Sequence, residues 1–263
     1  MQQIMRVTFK GIIKDRTLQG VGLLSLFFLL IPVISALSMR QVAELSITLS
    51  VSFISFLLLI LAIFLGGTQL WKDIERRYTF SVLSLPISRE RYLLGKFLAV
   101  VLFMVLVATF CLVATLVVVK VSATMYVPDR PVVWENIVLC VVFDVMKSIV
   151  LIAFAFLFST VSTSMFLPIF SVIAIYFSGS ASQQVFEYLT AGGGKQLPAM
   201  LRLAAQGLYY VIPNLSCFDL KTYAIYAVKP DPAGLLYASG YFIVYTAIIL
   251  VCATMVFSRK EMN

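Results

Sequence analysis

Apolar and polar positions fall in long blocks along the chain, not in the two-residue alternation of half-buried strands. Six apolar blocks stand out, at about 18–38, 46–70, 97–119, 136–160, 164–178 and 233–257. A block of roughly 20 apolar residues is long enough to cross a bilayer core of about 30 Å as a helix. The fifth is short and carries Pro168. The pattern predicts an all-α polytopic membrane protein, one transmembrane domain over 1–263 with six crossings. Ahead of the first block, Met5, Phe9, Ile12 and Ile13 share a helical face, and Arg6, Lys10 and Lys14 form a basic stripe. That spacing predicts an N-terminal helix lying at the membrane interface. The first block is longer than the roughly 7–15 apolar residues of a secretory signal, so it is read as a retained crossing.

The connection between the second and third blocks breaks the pattern most sharply. From Trp71 to Lys96 the chain reads WKDIERRYTFSVLSLPISRERYLLGK and holds six of the twenty Lys and Arg residues. Trp71, Ile74, Tyr78, Val82 and Leu85 recur at three- and four-residue spacing, which predicts an amphipathic helix over about 71–85. Asp73 and Arg77 have the i,i+4 spacing of a helical ion pair. Pro86 ends that helix, and Ser88 with Glu90 fits the start of the next one. A topology signal needs only loose positive charge. A helix, a proline stop and a capped restart suit a segment held at a fixed angle against a partner.

Composition narrows the classes. Of 263 residues, 61% are hydrophobic and 12% charged, against about 45–50% and 25% in soluble domains; mean hydropathy is +1.01. The net charge of +8 sits beside apolar blocks, which fits membrane topology and not nucleic-acid binding. Placing both termini and the 71–96 connection in the cytoplasm puts twelve basic residues on that side and seven on the other. The chain has no histidine, which excludes Ser-His catalysis and imidazole-based zinc or haem sites. Its four cysteines are far apart and form no CxxC pair, so no metal site is expected.

Two further features carry candidate chemistry. Asp144 and Lys147 lie inside the fourth block, where an unpaired charge costs about 2.5–3.5 kcal/mol on insertion scales. Their i,i+3 spacing lets them share a face and pair; the pair either fixes helix packing or lines a path or gate. The stretch from Gly179 to Pro232 is too polar for a crossing and too long for a turn. Gly192–Gly194 break it, and a helical period follows into Tyr209, Tyr210, Pro213 and Asn214. One or two short helices, re-entrant or at the outer interface, are predicted there.

The runs Lys-Asp-Ile-Glu-Arg-Arg, Leu-Ser-Leu-Pro-Ile-Ser-Arg and Tyr-Leu-Leu-Gly-Lys resemble the first cytoplasmic loop of type-2 ABC transporter permeases. They are most similar to the subgroup of multicopper-enzyme-maturation permeases. The resemblance implies that 71–85 is a coupling helix, with Ile74, Glu75, Arg76, Arg77, Tyr78, Pro86 and Arg89 at the contact with a separate ATPase. It implies an exporter of the prokaryotic inner membrane, in which two copies form the path and two ATPase subunits drive it. It also implies short helices closing the outer end between the fifth and sixth crossings. No GxxxxGK[ST] phosphate loop is present, so no cofactor is expected on this chain; ATP and Mg would be held by the partner. Two other readings stay open: an ion channel or secondary transporter using Asp144 and Lys147, and an intramembrane enzyme. The second lacks a partner carboxylate for Asp144.

Overall fold

A computed structural model describes residues 2–14, 20, 24–38, 41–75, 88–125, 130–162, 164–190, 200, 207, 209 and 212–259. Among them there is no strand. The helices are α1 (Gln2–Lys14), α2 (Ile31–Ala36), α3 (Val42–Leu61), α4 (Gly67–Glu75), α5 (Arg89–Met125), α6 (Trp134–Val161), α7 (Phe166–Thr190), α8 (Lys221–Tyr226) and α9 (Pro232–Arg259). Five stretches among the described residues are long and apolar enough to cross a membrane: Val42–Asp73, Arg89–Thr124, Trp134–Val161, Phe166–Leu189 and Pro232–Arg259. The crossing predicted at 18–38 is described as a 3-10 turn, Leu26–Leu29, followed by α2. Parts of that block, 18–19 and 21–23, lie outside the described residues.

Because successive long helices run in opposite directions, the bundle has two ends. At the loop end α4 stops and α5 starts; at the opposite end α6 starts and α8 leads into α9. The central helix is α6, against which α3, α4, α5, α7 and α9 all pack. It is buried on most sides, with Val150, Ile152, Ala153, Ala155 and Phe156 fully enclosed. Hydroxyls inside the spans bond to carbonyls one turn back, as Ser148 does to Asp144, Ser159 to Ala155 and Thr109 to Val105. A polar group in hydrocarbon must be satisfied within the protein, and this is the shortest route. Ser122 reaches across to Ser46 at 3.0 Å, tying α5 to α3.

Several boundaries differ from the sequence reading. The second crossing and the start of the predicted coupling helix are one rod: α3 continues through a π turn, Ala62–Gly66, directly into α4. The π turn lies where two glycines bring the rod against its neighbours. A Cβ on Gly66 would meet the Ala155 Cβ at 2.9 Å, and one on Gly67 would meet Ile169 at 3.1 Å. The fifth helix does not stop at Ser178. It runs on to Thr190, because Gly179 serves close approach and not a break: a Cβ there would lie 2.6 Å from the Pro213 carbonyl oxygen. α1 packs on protein, with Ile12 buried and Phe9 edge-on to Phe103 of α5. Ile13 faces outward from that contact.

Candidate functional site

At the loop end, α4 is fastened to α5 by two matched turns. Gln69 and Asp73 lie one turn apart on α4, and Tyr92 and Lys96 one turn apart on α5. The Lys96 ammonium pairs with the Asp73 carboxylate and donates to the Gln69 carbonyl, while the Tyr92 hydroxyl donates to Asp73. Lys96 is 3% exposed. The sequence reading counted it only as one of the six basic residues of 71–96; it is the buried centre of this joint. Breaking one partner of such a pair leaves an uncompensated charge and costs about 3–5 kcal/mol.

The same face of α5 holds α9. Arg89 Nη1 donates to the Ser258 carbonyl at 3.1 Å, where carbonyls near a helix C-terminus lack intrahelical donors. One turn on, the Tyr92 ring stacks on buried Phe257 with centroids 6.4 Å apart. Thus the last turn of α4, the first turns of α5 and the last turn of α9 are joined by one continuous set of contacts. Ile74 and Glu75 close α4. Arg76, Arg77, Tyr78 and Pro86 lie outside the described residues. Nothing in sequence spacing pointed to Asp73 with Lys96, which are 23 positions apart; the only local signal was Tyr92 and Lys96 at i,i+4.

Deeper in the bundle, Asp144 and Lys147 do not pair with each other. Asp144 is buried and turned toward α3, where the Ser55 hydroxyl lies 2.5 Å from Oδ2 and 3.0 Å from the Val51 carbonyl. That hydroxyl has one hydrogen and serves one acceptor at a time. Lys147 is half-buried and turned toward α7, its ammonium 5.0 Å from the centre of the Tyr176 ring. A shared helix face was therefore not enough to join them, since each side chain found a nearer partner on a different neighbour.

The connection from α7 to α9 packs back into the opposite end. Buried Leu215 donates its N–H to the Gly179 carbonyl at 3.1 Å, and Ser216 Oγ donates to the Ser180 carbonyl at 2.8 Å. A 3-10 turn, Ser216–Phe218, puts the Phe218 ring 6.5 Å from Phe143 and 6.2 Å from Tyr241. Asn136 uses both amide hydrogens to hold the carbonyls of Tyr223 and Val228, at 2.8 and 2.9 Å, and so pins α8 at its end. Of the residues singled out here, Pro213 is buried, and Asn214 donates through its amide to Gln183 at 2.8 Å. The Tyr209 hydroxyl bonds to Gln183 at 3.2 Å, with its ring stacked 4.2 Å from Phe186. Tyr210 lies outside the described residues.

Two cavities open at this end. One, about 480 Å³, is lined by Tyr209, Asn214, Cys217, Tyr237, Tyr241 and Tyr245 among others. Burial pushes the Cys217 thiol up to about 11, so it stays protonated at neutral pH. The other, about 410 Å³, holds Glu44 and Arg130 at 3.8 Å, with Arg130 over the Tyr226 ring. Among the described residues no three metal-ligating side chains converge.

Comparison with individually curated proteins returned no match. The family model described as ABC-2 family transporter protein matches residues 12–218, from α1 through the Ser216–Phe218 turn. That span takes in α4, the start of α5 and four of the five long helices, and the chain belongs to the ABC-2 family of membrane transport proteins.

Proposed function

We propose that the chain is the permease subunit of an ATP-driven exporter and takes its push from a separate ABC ATPase through 71–85. The observation that carries this reading is the joint of Asp73, Lys96 and Tyr92, with Arg89 and Phe257 beside it. A solvated loop has no use for a buried ion pair at its root. A lever does, because force applied beyond Glu75 then reaches α5 and α9 together. The rod of α3 and α4 is interrupted by a π turn at Ala62–Gly66, the kind of break that marks places where helices bend.

In this reading Ile74 and Tyr78 pack on the ATPase and Glu75, Arg76 and Arg77 make polar contacts to it. Two copies of the chain and two ATPase subunits form the transporter, and ATP and Mg are held by the ATPases. The 18–38 block supplies a sixth crossing, both termini are cytoplasmic, and the membrane is the inner one of a prokaryote. The Leu-Ser-Leu-Pro-Ile-Ser-Arg run supports membership of the multicopper-enzyme-maturation subgroup. The test is Arg76→Glu with Arg77→Glu. The double variant is expected to insert in the membrane and lose co-purification with the ATPase; unchanged co-purification would count against the reading.

A further inference from the structure

Tyr237, Tyr241 and Tyr245 stand at i, i+4 and i+8 on α9, along one face of the helix. All three line the cavity of about 480 Å³. Tyr237 is 78% exposed, whereas Tyr241 and Tyr245 are half-buried, so the stripe runs from the surface into the protein. Tyr209, Ile212, Asn214 and Cys217 complete the lining. The segment 213–218 roofs the cavity and is tied to α7 through Leu215 and Ser216. The rings are braced from outside the cavity. Tyr209 stacks on Phe186 at 4.2 Å, Tyr241 lies 6.2 Å from Phe218, and Tyr245 lies 6.1 Å from Phe154 of α6. Walls already fixed in this way lose little side-chain freedom when a ligand enters.

The polar groups of the roof are engaged within the protein. The Tyr209 hydroxyl donates to Gln183 at 3.2 Å, and the Asn214 amide donates to the same oxygen at 2.8 Å. Asn214 Oδ1 accepts the Ser216 N–H at 3.1 Å, and its carbonyl accepts the Cys217 thiol at 3.0 Å. The Asn214 N–H donates to the Tyr241 hydroxyl at 3.0 Å. That hydroxyl keeps its own hydrogen, since a phenol both accepts and donates. Among the described residues no acceptor takes it. A half-buried donor left without an acceptor is unfavourable, and a ligand oxygen would relieve it. Among the described residues no Asp, Glu, Lys or Arg lines the cavity. A charged ligand would therefore shed water there with no counter-charge to receive it.

We infer that this cavity is the binding site for an uncharged, ring-bearing small molecule with a hydrogen-bond acceptor such as a carbonyl. The acceptor takes the hydrogen of the Tyr241 hydroxyl, and the ring system lies among Tyr209, Tyr241 and Tyr245. At about 480 Å³ the cavity is in the size range of small-molecule sites, which pair aromatic walls with a few placed polar groups. The inference goes beyond the transport reading: it concerns the end of the bundle opposite the proposed motor contact and stands without the ATPase.

The test uses the full chain in phosphatidylcholine nanodiscs, with equilibrium dialysis against empty nanodiscs to subtract partition into lipid. Four probes share one ring system: 2-acetylnaphthalene, 2-ethylnaphthalene, 2-naphthoate and 2-naphthylmethylammonium. The ketone is expected to bind about fivefold tighter than its ethyl counterpart, as one hydrogen bond supplies, and both ions weaker than the ketone. Tyr241→Phe keeps the ring, removes the hydrogen and should bring the ketone down to the level of the ethyl probe. Tyr226→Phe, on α8, should leave the preference intact. Ala238→Leu adds bulk to the lining and should weaken ketone and ethyl probe alike. Equal binding of those two probes to the unaltered chain would overturn the inference, whether or not any variant folds. So would either ion binding tightest, or a preference that survives Tyr241→Phe. Co-purification with the ATPase is scored separately: a chain that keeps its ATPase but shows no preference for the ketone refutes this site and leaves the transport reading standing.

Discussion

At the loop end buried Lys96 binds the part-exposed Asp73 side chain to side chain, whereas at the opposite end Asn136 binds the backbone carbonyls of Tyr223 and Val228. Both arrangements fasten one helix to its neighbours, yet they suit different work. An ion pair with one partner buried is costly to break singly, so the ends of α4 and α5 that it joins stay together through a movement. Side chain to carbonyl bonds, each worth about 1 kcal/mol net, can be exchanged for others as a roof opens and closes. The comparison describes a stiff joint at the end facing the proposed motor and a rearrangeable cover over the tyrosine cavity.

The largest expected effect breaks the joint. Asp73→Ala strands the ammonium of Lys96, which is 3% exposed, and should cost about 3 kcal/mol in equilibrium unfolding. If the joint is a single unit, replacing Lys96 by Met in the same chain recovers part of that loss. Full additivity of the two replacements would show that the residues are independent.

Next comes the cover. Asn136→Ala removes both donors that hold α8 and should cost about 2 kcal/mol. Hydrogen exchange should speed up over 213–231 and remain slow in α4 and the start of α5. Exchange rising equally at both ends would erase the proposed difference between them.

A smaller effect is expected at Gly179, whose added methyl would press on the Pro213 carbonyl oxygen at 2.6 Å. Gly179→Ala should cost about 1.5 kcal/mol, within the range for overpacking. An unchanged unfolding midpoint would mean that the roof yields freely.

The membrane helices were legible because hydrocarbon imposes a long apolar block on each. The ends of α6 and α9 fell within two residues of the blocks. The end of α7 did not, because Gly179, Ser180, Ser182 and Gln183 read as loop, while Ser182 bonds to the Gly179 carbonyl at 2.9 Å and Gln183 donates to Glu187 at 2.7 Å within the helix. The burial of Lys96 was not legible because its partner Asp73 is 23 positions away, and periodicity carries no information across helices. Asp144 and Lys147 read as a pair because i,i+3 spacing fixes a common face, while Ser55 and Tyr176, on other helices, decide where each side chain turns. The tyrosines of α9 had the i,i+4,i+8 spacing of a stripe. They carried no weight until the 213–218 segment was brought beside them.

The most direct test of the account is a photocrosslinking residue in place of Tyr78, in the chain expressed with the ATPase subunit and irradiated in membranes. The account predicts one crosslinked product, this chain joined to the ATPase. Crosslinks to lipid alone, or only between two copies of this chain, would contradict it.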